Sequence, residues 1–220
     1  ENQIILSLDM EAIHEVGLAK YDILGLKTTG LIKKTYEFLG KPYPKSNEID
    51  WNDQDVWKSI AVSNIGIFQF ESDYAFKVLK DFNTKSIDDM SLVTAMIRPS
   101  GASYRDNLCK HIINHNPSEI IDDLLKNNLG YLVYQEDVIA FLQQICGLTG
   151  SEADNVRRAI GRKDEERLQK ALPQILEGYC NKSTKDRLVA EQEAKTFLQI
   201  IEDASSYMFG KNHSYAYCLL

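Results

Sequence analysis

The part of the sequence best suited to chemistry is a cluster of cations in residues 151–163, which read SEADNVRRAIGRK. Four of the seven arginines in the chain fall between positions 157 and 167. The planar fork of donors on arginine matches phosphate oxygens better than the ammonium group of the commoner lysine does. The cluster, which comprises Arg157, Arg158, Arg162 and Lys163, is therefore a candidate phosphate-binding site.

The spacing around these cations predicts a short helix. Ser151, followed three residues later by Asp154, is typical of a helix start, and Gly161 suits the left-handed residue that ends a helix. The simpler alternative is a solvated helix end. Cations favour the negative C-terminal end of a helix dipole, and Arg158 can pair with Asp154 one turn back. Spacing alone leaves both interpretations open.

The charge of the chain is unevenly distributed. The 220 residues carry a net charge of −7, and an acidic average argues against a domain that is basic as a whole and binds nucleic acid for that reason. However, residues 1–150 hold 14 basic and 21 acidic residues, whereas residues 151–220 hold 11 of each. The segment with the arginine cluster is therefore neutral, and its local cations are compatible with an anionic ligand.

A lone carboxylate, Asp22, lies in the apolar, strand-like run KYDILGL of residues 20–26. An unpaired carboxylate in such surroundings would be costly. Its partner is either Lys20, two residues away on the same face of the strand, or a metal ion. The residues alone leave both alternatives open.

A third candidate is the segment FGKNHSYAY of residues 209–217. Lys211 and His213, placed among tyrosines in a glycine-containing turn, can hold a phosphate or stack on a base. An ordinary capped helix end explains the segment equally well.

The remaining metal-ligating residues indicate no metal site. His111 and His115 are four residues apart and suit a solvated helix face, but no third ligand lies at zinc-site spacing. The four cysteines form no C-x-x-C pair, so we expect reduced thiols in a cytoplasmic protein.

Hydrophobic periodicity predicts a mainly helical chain. Because 44% of its residues are hydrophobic, we also expect a packed core. The predicted helices span residues 28–39, 53–62, 73–81, 86–97, 117–127, 135–146 and 185–209. Short extended runs are predicted at residues 18–26, 65–70 and 131–134. Two prolines make residues 41–47 a linker. No apolar run reaches the ~18 residues that span a bilayer, so we expect no membrane partner.

Six segments, in order along nearly the whole chain, resemble the alpha subunit of bacterial DNA polymerase III, the C-family replicative polymerases. They are KYDILGLK at 20–27, GIFQFES at 66–72, DDMSLVTAMIRPSG at 88–101, YLVYQEDV at 131–138, EADNVRRAIGRK at 152–163 and SYMFGKNHSYAY at 206–217. The family forms include KFDFLGL, GVFQLES, ADxLRRAMGKK and YGFNKSHSAAY. Ser100, Gly210 and Asn212 depart from the family pattern and indicate a divergent member.

The resemblance implies a mainly α fold. Residues 1–27 would form the strand-bearing C-terminal part of the palm, and residues 28–220 a helical fingers domain truncated at its C-terminal end. The implied reaction is the addition of dNTPs to a primer 3′ end on a DNA template, in chromosomal or phage replication. In that family three palm carboxylates hold two Mg²⁺ ions. Asp22 matches the third carboxylate, and the closely spaced aspartate pair expected upstream does not precede it, so we expect the fragment alone to be inactive.

The resemblance also implies contacts to the nucleotide. Arg157 and Arg158 match fingers arginines that face the triphosphate, whereas Gln135 and Glu136 are expected to brace the fingers. The residues expected at nucleotide or phosphate groups are Lys20, Arg157, Arg158, Arg162, Lys163, Lys211 and His213.

The implied partners are primer–template DNA, dNTP, and a sliding clamp and other replisome subunits that bind through regions outside this sequence. Two alternatives carry no catalytic activity. One is a nucleotide- or DNA-binding or replisome-interaction module, and the other is a helical protein-interaction domain.

Overall fold

A computed structural model describes residues 7–19, 21, 23, 25–205 and 207–220 of the chain. The chain divides into two compact units, Glu1–Lys45 and Ser46–Leu220. The division falls inside the predicted linker, where two prolines interrupt regular structure. Among the described residues, no helix has both the length and the apolar character needed to cross a membrane.

The described part of the first unit contains helices α1 (Met10–Glu15) and α2 (Lys27–Phe38). Helix α2 buries none of its side chains, and Gly40, with a φ of 60°, follows its end. The strand expected over residues 18–26 is not confirmed, because the described residues of that run form no strand. The predicted site residues Lys20 and Asp22 lie outside the described residues.

The second unit begins with helices that pack around a first apolar core. These helices are α3 (Gln54–Val62), α4 (Asp73–Phe82), α5 (Ile87–Met96) and α6 (Arg105–Cys109). The hydroxyl of Ser72 caps α4 by accepting a hydrogen bond from the Ala75 amide at 3.2 Å. Ser86 caps α5 in the same way at 3.1 Å. Because residues 90–96 are all buried, α5 runs through the centre of this core.

A second apolar core lies among the helices that follow. They are α7 (Glu119–Leu125), α8 (Gln135–Ala140), α9 (Gly150–Arg162), α10 (Glu165–Lys182) and α11 (Arg187–Ala204). Helix α8 continues into a π-helical segment, Phe141–Ile145. The buried ring of Phe141 lies 4.7 Å from the Phe197 ring and 6.1 Å from the Tyr179 ring, measured between centroids. These rings join α8, α10 and α11.

The last helix, α12 (Lys211–Cys218), returns to the first core and packs against α5. The Ser91 hydroxyl donates to Ser214 Oγ at 2.9 Å, and the Ser214 hydroxyl donates to the Ser91 carbonyl oxygen at 2.8 Å. Since the single hydroxyl hydrogen of Ser91 is used there, the Tyr134 hydroxyl donates to Ser91 Oγ at 2.8 Å. Tyr134 also forms an isolated parallel bridge with Phe209. The start of α8 is thereby joined to both α5 and α12.

Both ends of α9 differ from the sequence prediction. Thr149, rather than Ser151, is the N-cap and forms a capping box with Glu152. The Glu152 carboxylate accepts from the Thr149 amide at 2.8 Å, and Thr149 Oγ1 accepts from the Glu152 amide at 3.4 Å. At the other end, Gly161 stays inside the helix, and Lys163 adopts the left-handed conformation with a φ of 57°.

The other helices predicted from periodicity are confirmed, with shifts at their ends. Pro117 lies just before the N-cap Ser118 of α7 rather than in the first turn. The predictions of extended structure at residues 65–70 and 131–134 are wrong. Residues 65–70 lie mostly in turns, and the run at 131–134 contains only the bridge at Tyr134.

The histidine pair does not share a helix face. His111 follows α6 with a φ of 52°, and its Nε2 lies 3.0 Å from the Phe82 carbonyl oxygen. His115 Nδ1 lies 3.6 Å from a carboxylate oxygen of Asp122. The four cysteines are all unpaired, as predicted.

Gly178 allows α10 to pass close to the end of the π-helical segment. A β-carbon at position 178 would lie 1.8 Å from the Cys146 carbonyl oxygen, so the backbone at position 178 or at position 146 would have to move. We predict that Gly178→Ala lowers the free energy of unfolding by about 2 kcal/mol or more, measured by urea denaturation. Gly150→Ala is the control, because the added methyl group meets only the end of the Gln143 side chain, at 3.2 Å. Equal stability of the two variants would contradict the prediction.

Candidate functional site

The candidate phosphate site is built on the exposed face of α9. The helix buries a stripe of apolar side chains against the second core, comprising Ala153, Val156 and Ile160. Residues three and four apart share a helix face. Asp154, Arg157 and Arg158 therefore lie together on the side of α9 away from that core, where Gly161 follows them by one turn.

Arg157 uses its donors inside the protein. Its Nε and Nη2 donate to Asp154 Oδ1 at 3.0 and 2.8 Å, and its Nη1 donates to Gln135 Oε1 at 3.1 Å. The Arg157 side chain is only 21% exposed. Arg157 is thus a brace between α9 and α8, and an anion can reach its guanidinium only in competition with these acceptors.

Arg158 is the more accessible member of the pair. Its Nε donates to Asp154 Oδ2 at 2.7 Å, and its side chain is 58% exposed. Its two terminal nitrogens have no hydrogen-bond partner in the described part of the chain. The geometry therefore leaves the outer donors of Arg158 available for a phosphate group, with the guanidinium already held in place at Nε.

Asp154 organises both arginines, because each of its carboxylate oxygens accepts from a different one. The hydrogen bond from Arg157, supported by the one from Arg158, holds the pKa of the Asp154 carboxyl below its usual range. The ion pair between Arg158 and Asp154 that the sequence suggested is confirmed. It does not remove the anion site, because it occupies one nitrogen of three.

Arg162 and Lys163 are not part of the ion-paired group formed around Asp154. Both are exposed where the chain leaves α9, and neither side chain forms a hydrogen bond or an ion pair with a described residue. They carry two positive charges at the end of α9, and acidic residues follow them directly at positions 164–166.

The first turn of α8 connects this face to α12. Gln135 accepts from Arg157, and the next residue, Glu136, accepts from the Lys211 amide at 2.8 Å through its Oε2. A carboxylate at the first amide of α12 is stabilised by the dipole of that helix. The Lys211 ammonium in turn lies 5.5 Å from the Tyr134 ring centroid. These are the bracing contacts that the resemblance implies for Gln135 and Glu136.

His213 belongs to a row of rings along α12. Its ring lies 5.4 Å from that of Phe209 and 4.2 Å from that of Tyr217. Tyr217 stacks on Phe68 at 5.2 Å, and the Arg98 guanidinium lies 3.9 Å from the Phe209 centroid. Desolvation by neighbouring groups, with the charge of Arg98 nearby, lowers the pKa of the exposed His213 imidazole. Arg98 carries no signal in the sequence as a functional residue, because only the fold brings it to the row.

Asp137 stabilises the start of α8 through hydrogen bonds to its carboxylate. Its Oδ2 accepts from the Tyr134 amide at 2.8 Å, the Asn128 side-chain amide at 2.9 Å and the Val133 amide at 3.2 Å. Burial raises the pKa of Asp137 to about 6 despite these hydrogen bonds. The carboxylate therefore holds the loop before α8 in place. No three His, Cys, Asp or Glu side chains gather to hold a metal ion among the described residues, and Asp22 lies outside them.

Residues 27–183 match the model of the family described as the bacterial DNA polymerase III alpha subunit finger domain. Proteins named DNA polymerase III subunit alpha are similar to nearly the whole chain. That of Thermotoga maritima is 32% identical over 97% of this chain and 23% of its own length. Those of Campylobacter jejuni subsp. jejuni and Aquifex aeolicus are 32% and 30% identical over 100% and 99% of this chain, and each match covers 19% of the relative. The chain spans about a fifth of the length of these relatives.

The raised pKa of Asp137 predicts a pH dependence of stability. The folded protein holds this proton more tightly than the unfolded chain, whose Asp pKa is near 3.8. The stability gained from the group is fully present below about pH 4 and is lost as the pH rises through about 6. Between those values the free energy of unfolding should fall with pH more steeply in the wild type than in Asp137→Asn, by up to about 1.4 kcal/mol per unit. Parallel profiles in urea denaturation would contradict this.

Proposed function

The chain belongs to the family of bacterial DNA polymerase III alpha subunit finger domains, and from this membership we propose that it forms the fingers and the end of the palm of a DNA-directed DNA polymerase. In this proposal residues 1–27 end the palm and residues 28–220 form the fingers. The longer polypeptide transfers a nucleotidyl group from a dNTP to a primer 3′ end on a DNA template. It does so in chromosomal or phage replication.

The structural observation that supports nucleotide binding in this proposal is the arrangement of the arginine pair on α9. Arg157 is braced by Asp154 and Gln135, whereas Arg158 is held only at Nε and is more than half exposed. A fixed guanidinium with available terminal donors suits the oxygens of a triphosphate. We assign Arg158 as the main triphosphate contact. Arg157 lies beside it and can reach the triphosphate only in competition with Asp154 and Gln135. Arg162 and Lys163 add charge.

Helix α12 supplies a second surface for the nucleotide. Lys211 stands at its first turn, and His213 lies in the row of rings with Phe209 and Tyr217. An imidazole flanked by aromatic rings suits contact with a base or sugar. The link through Gln135 and Glu136 keeps this surface in register with the arginine pair.

The metal-binding part of the site rests on sequence alone. We assign Asp22 as one metal-binding carboxylate and Lys20 as a neighbour of the nucleotide phosphates, from their places in the segment KYDILGLK. When bound, two Mg²⁺ ions activate the primer hydroxyl and neutralise the departing pyrophosphate. One carboxylate is too few to hold both ions, so we propose that the chain does not extend a primer by itself.

The arginine assignment predicts unequal effects of two matched substitutions in the longer polypeptide. Arg158→Ala should lower kcat/KM for dNTP by about 10- to 100-fold, because it removes charged hydrogen bonds worth about 1.5–3 kcal/mol. Arg167 is the control, since it is similarly exposed and paired with Asp164 at 3.1 Å but lies beyond the end of α9. Arg167→Ala should leave primer-extension kinetics unchanged. Equal kinetics of the two variants would contradict the assignment and would indicate that the arginine pair is only a solvated helix surface.

A further inference from the structure

Gly161 lies in the last turn of α9 and is exposed. Its backbone is helical, so the glycine is not needed for a left-handed conformation. A β-carbon added at this position would meet no atom of the structure within 4 Å. Within the described part of the chain, therefore, nothing requires this position to lack a side chain.

A glycine inside a helix has a cost. It loses more backbone freedom on folding than any other residue, and only proline is less favourable in a helix interior. Two other glycines of this unit lie where a side chain would have no room. A β-carbon at Gly101 would lie 2.7 Å from the Ala95 carbonyl oxygen, and one at Gly130 would lie 1.9 Å from that of Asn114. Gly161 has no such contact, and neither does Gly30 in α2, so what distinguishes Gly161 is its place beside the arginine pair.

The position of Gly161 indicates what approaches it. The residue follows Arg157 by four positions and Arg158 by three, so it lies one turn beyond them on the same face. Both arginines bend back toward Asp154, in the turn before them, and this leaves the α9 backbone bare at position 161. Two cations, Arg162 and Lys163, follow it directly, before the acidic residues at positions 164–166.

We propose that Gly161 is a positioning residue that lets the sugar–phosphate part of a bound nucleotide lie directly against the α9 backbone while Arg158 holds its phosphate oxygens. The proposal rests on the proposed function, because it takes the ligand of Arg158 to be a nucleotide. A methyl group at position 161 would push that ligand away from the guanidinium without disturbing any contact inside the protein.

The test is Gly161→Ala in the longer polymerase polypeptide, with KM for dNTP and Kd for primer–template DNA measured separately. We expect one of the two constants to rise by about tenfold or more, because small displacements from a reactive geometry are costly. A rise in KM for dNTP alone identifies the incoming nucleotide as the ligand, and a rise in Kd alone identifies a DNA strand. The melting temperature should not fall, because alanine is the better helix former.

The matched control is Gly30→Ala. It adds the same methyl group to an exposed position of α2, where a β-carbon also meets nothing within 4 Å, and it should leave both constants unchanged. An equal loss in the two variants, or a loss that comes with a lower melting temperature, would overturn the proposal. Wild-type constants in Gly161→Ala, together with impaired constants in Arg158→Ala, would also overturn the proposal. That result would leave the proposed function intact. If Arg158→Ala also behaves as wild type, the assignment of Arg158 to the triphosphate fails, and this proposal fails with it.

Discussion

The first turn of α8 is the point on which the candidate site depends. Four consecutive side chains there each bind a different part of the fold, and they are Tyr134, Gln135, Glu136 and Asp137. Successive residues of a helix point in directions about 100° apart, so one turn can reach several neighbours at once. The two cationic elements, α9 and α12, are therefore positioned through a shared turn.

Electrostatics explain how an acidic chain can present a candidate anion site. Two adjacent guanidinium groups repel each other, and Asp154 offsets that repulsion by giving one oxygen to each. The consequence is a division of roles between neighbouring residues of the same type. Arg157 is turned inward to Gln135, and Arg158 keeps its terminal donors at the surface. The net charge of −7 describes the chain and not this face.

Sequence patterns locate most of the helices and the arginine cluster, because apolar periodicity and residue type are local properties. They fail where tertiary contacts decide. Helix α12 buries only Ser214 and Cys218, whose hydrogen bonds to α5 replace an apolar stripe, so periodicity does not reveal it. Helix α10 contains Pro173, which argues against a helix that the second core nevertheless stabilises. The inward turn of Arg157 depends on Gln135, 22 positions away, and has no sequence signal.

Amide hydrogen exchange in Glu136→Ala, with Gln135→Ala as the comparison, measures whether the first turn of α8 positions α12. The Lys211 amide donates to the Glu136 carboxylate, so its exchange should accelerate by about tenfold when that acceptor is removed. In Gln135→Ala the same amide keeps its acceptor and should exchange at the wild-type rate. Identical exchange of the Lys211 amide in the wild type and Glu136→Ala would contradict the account.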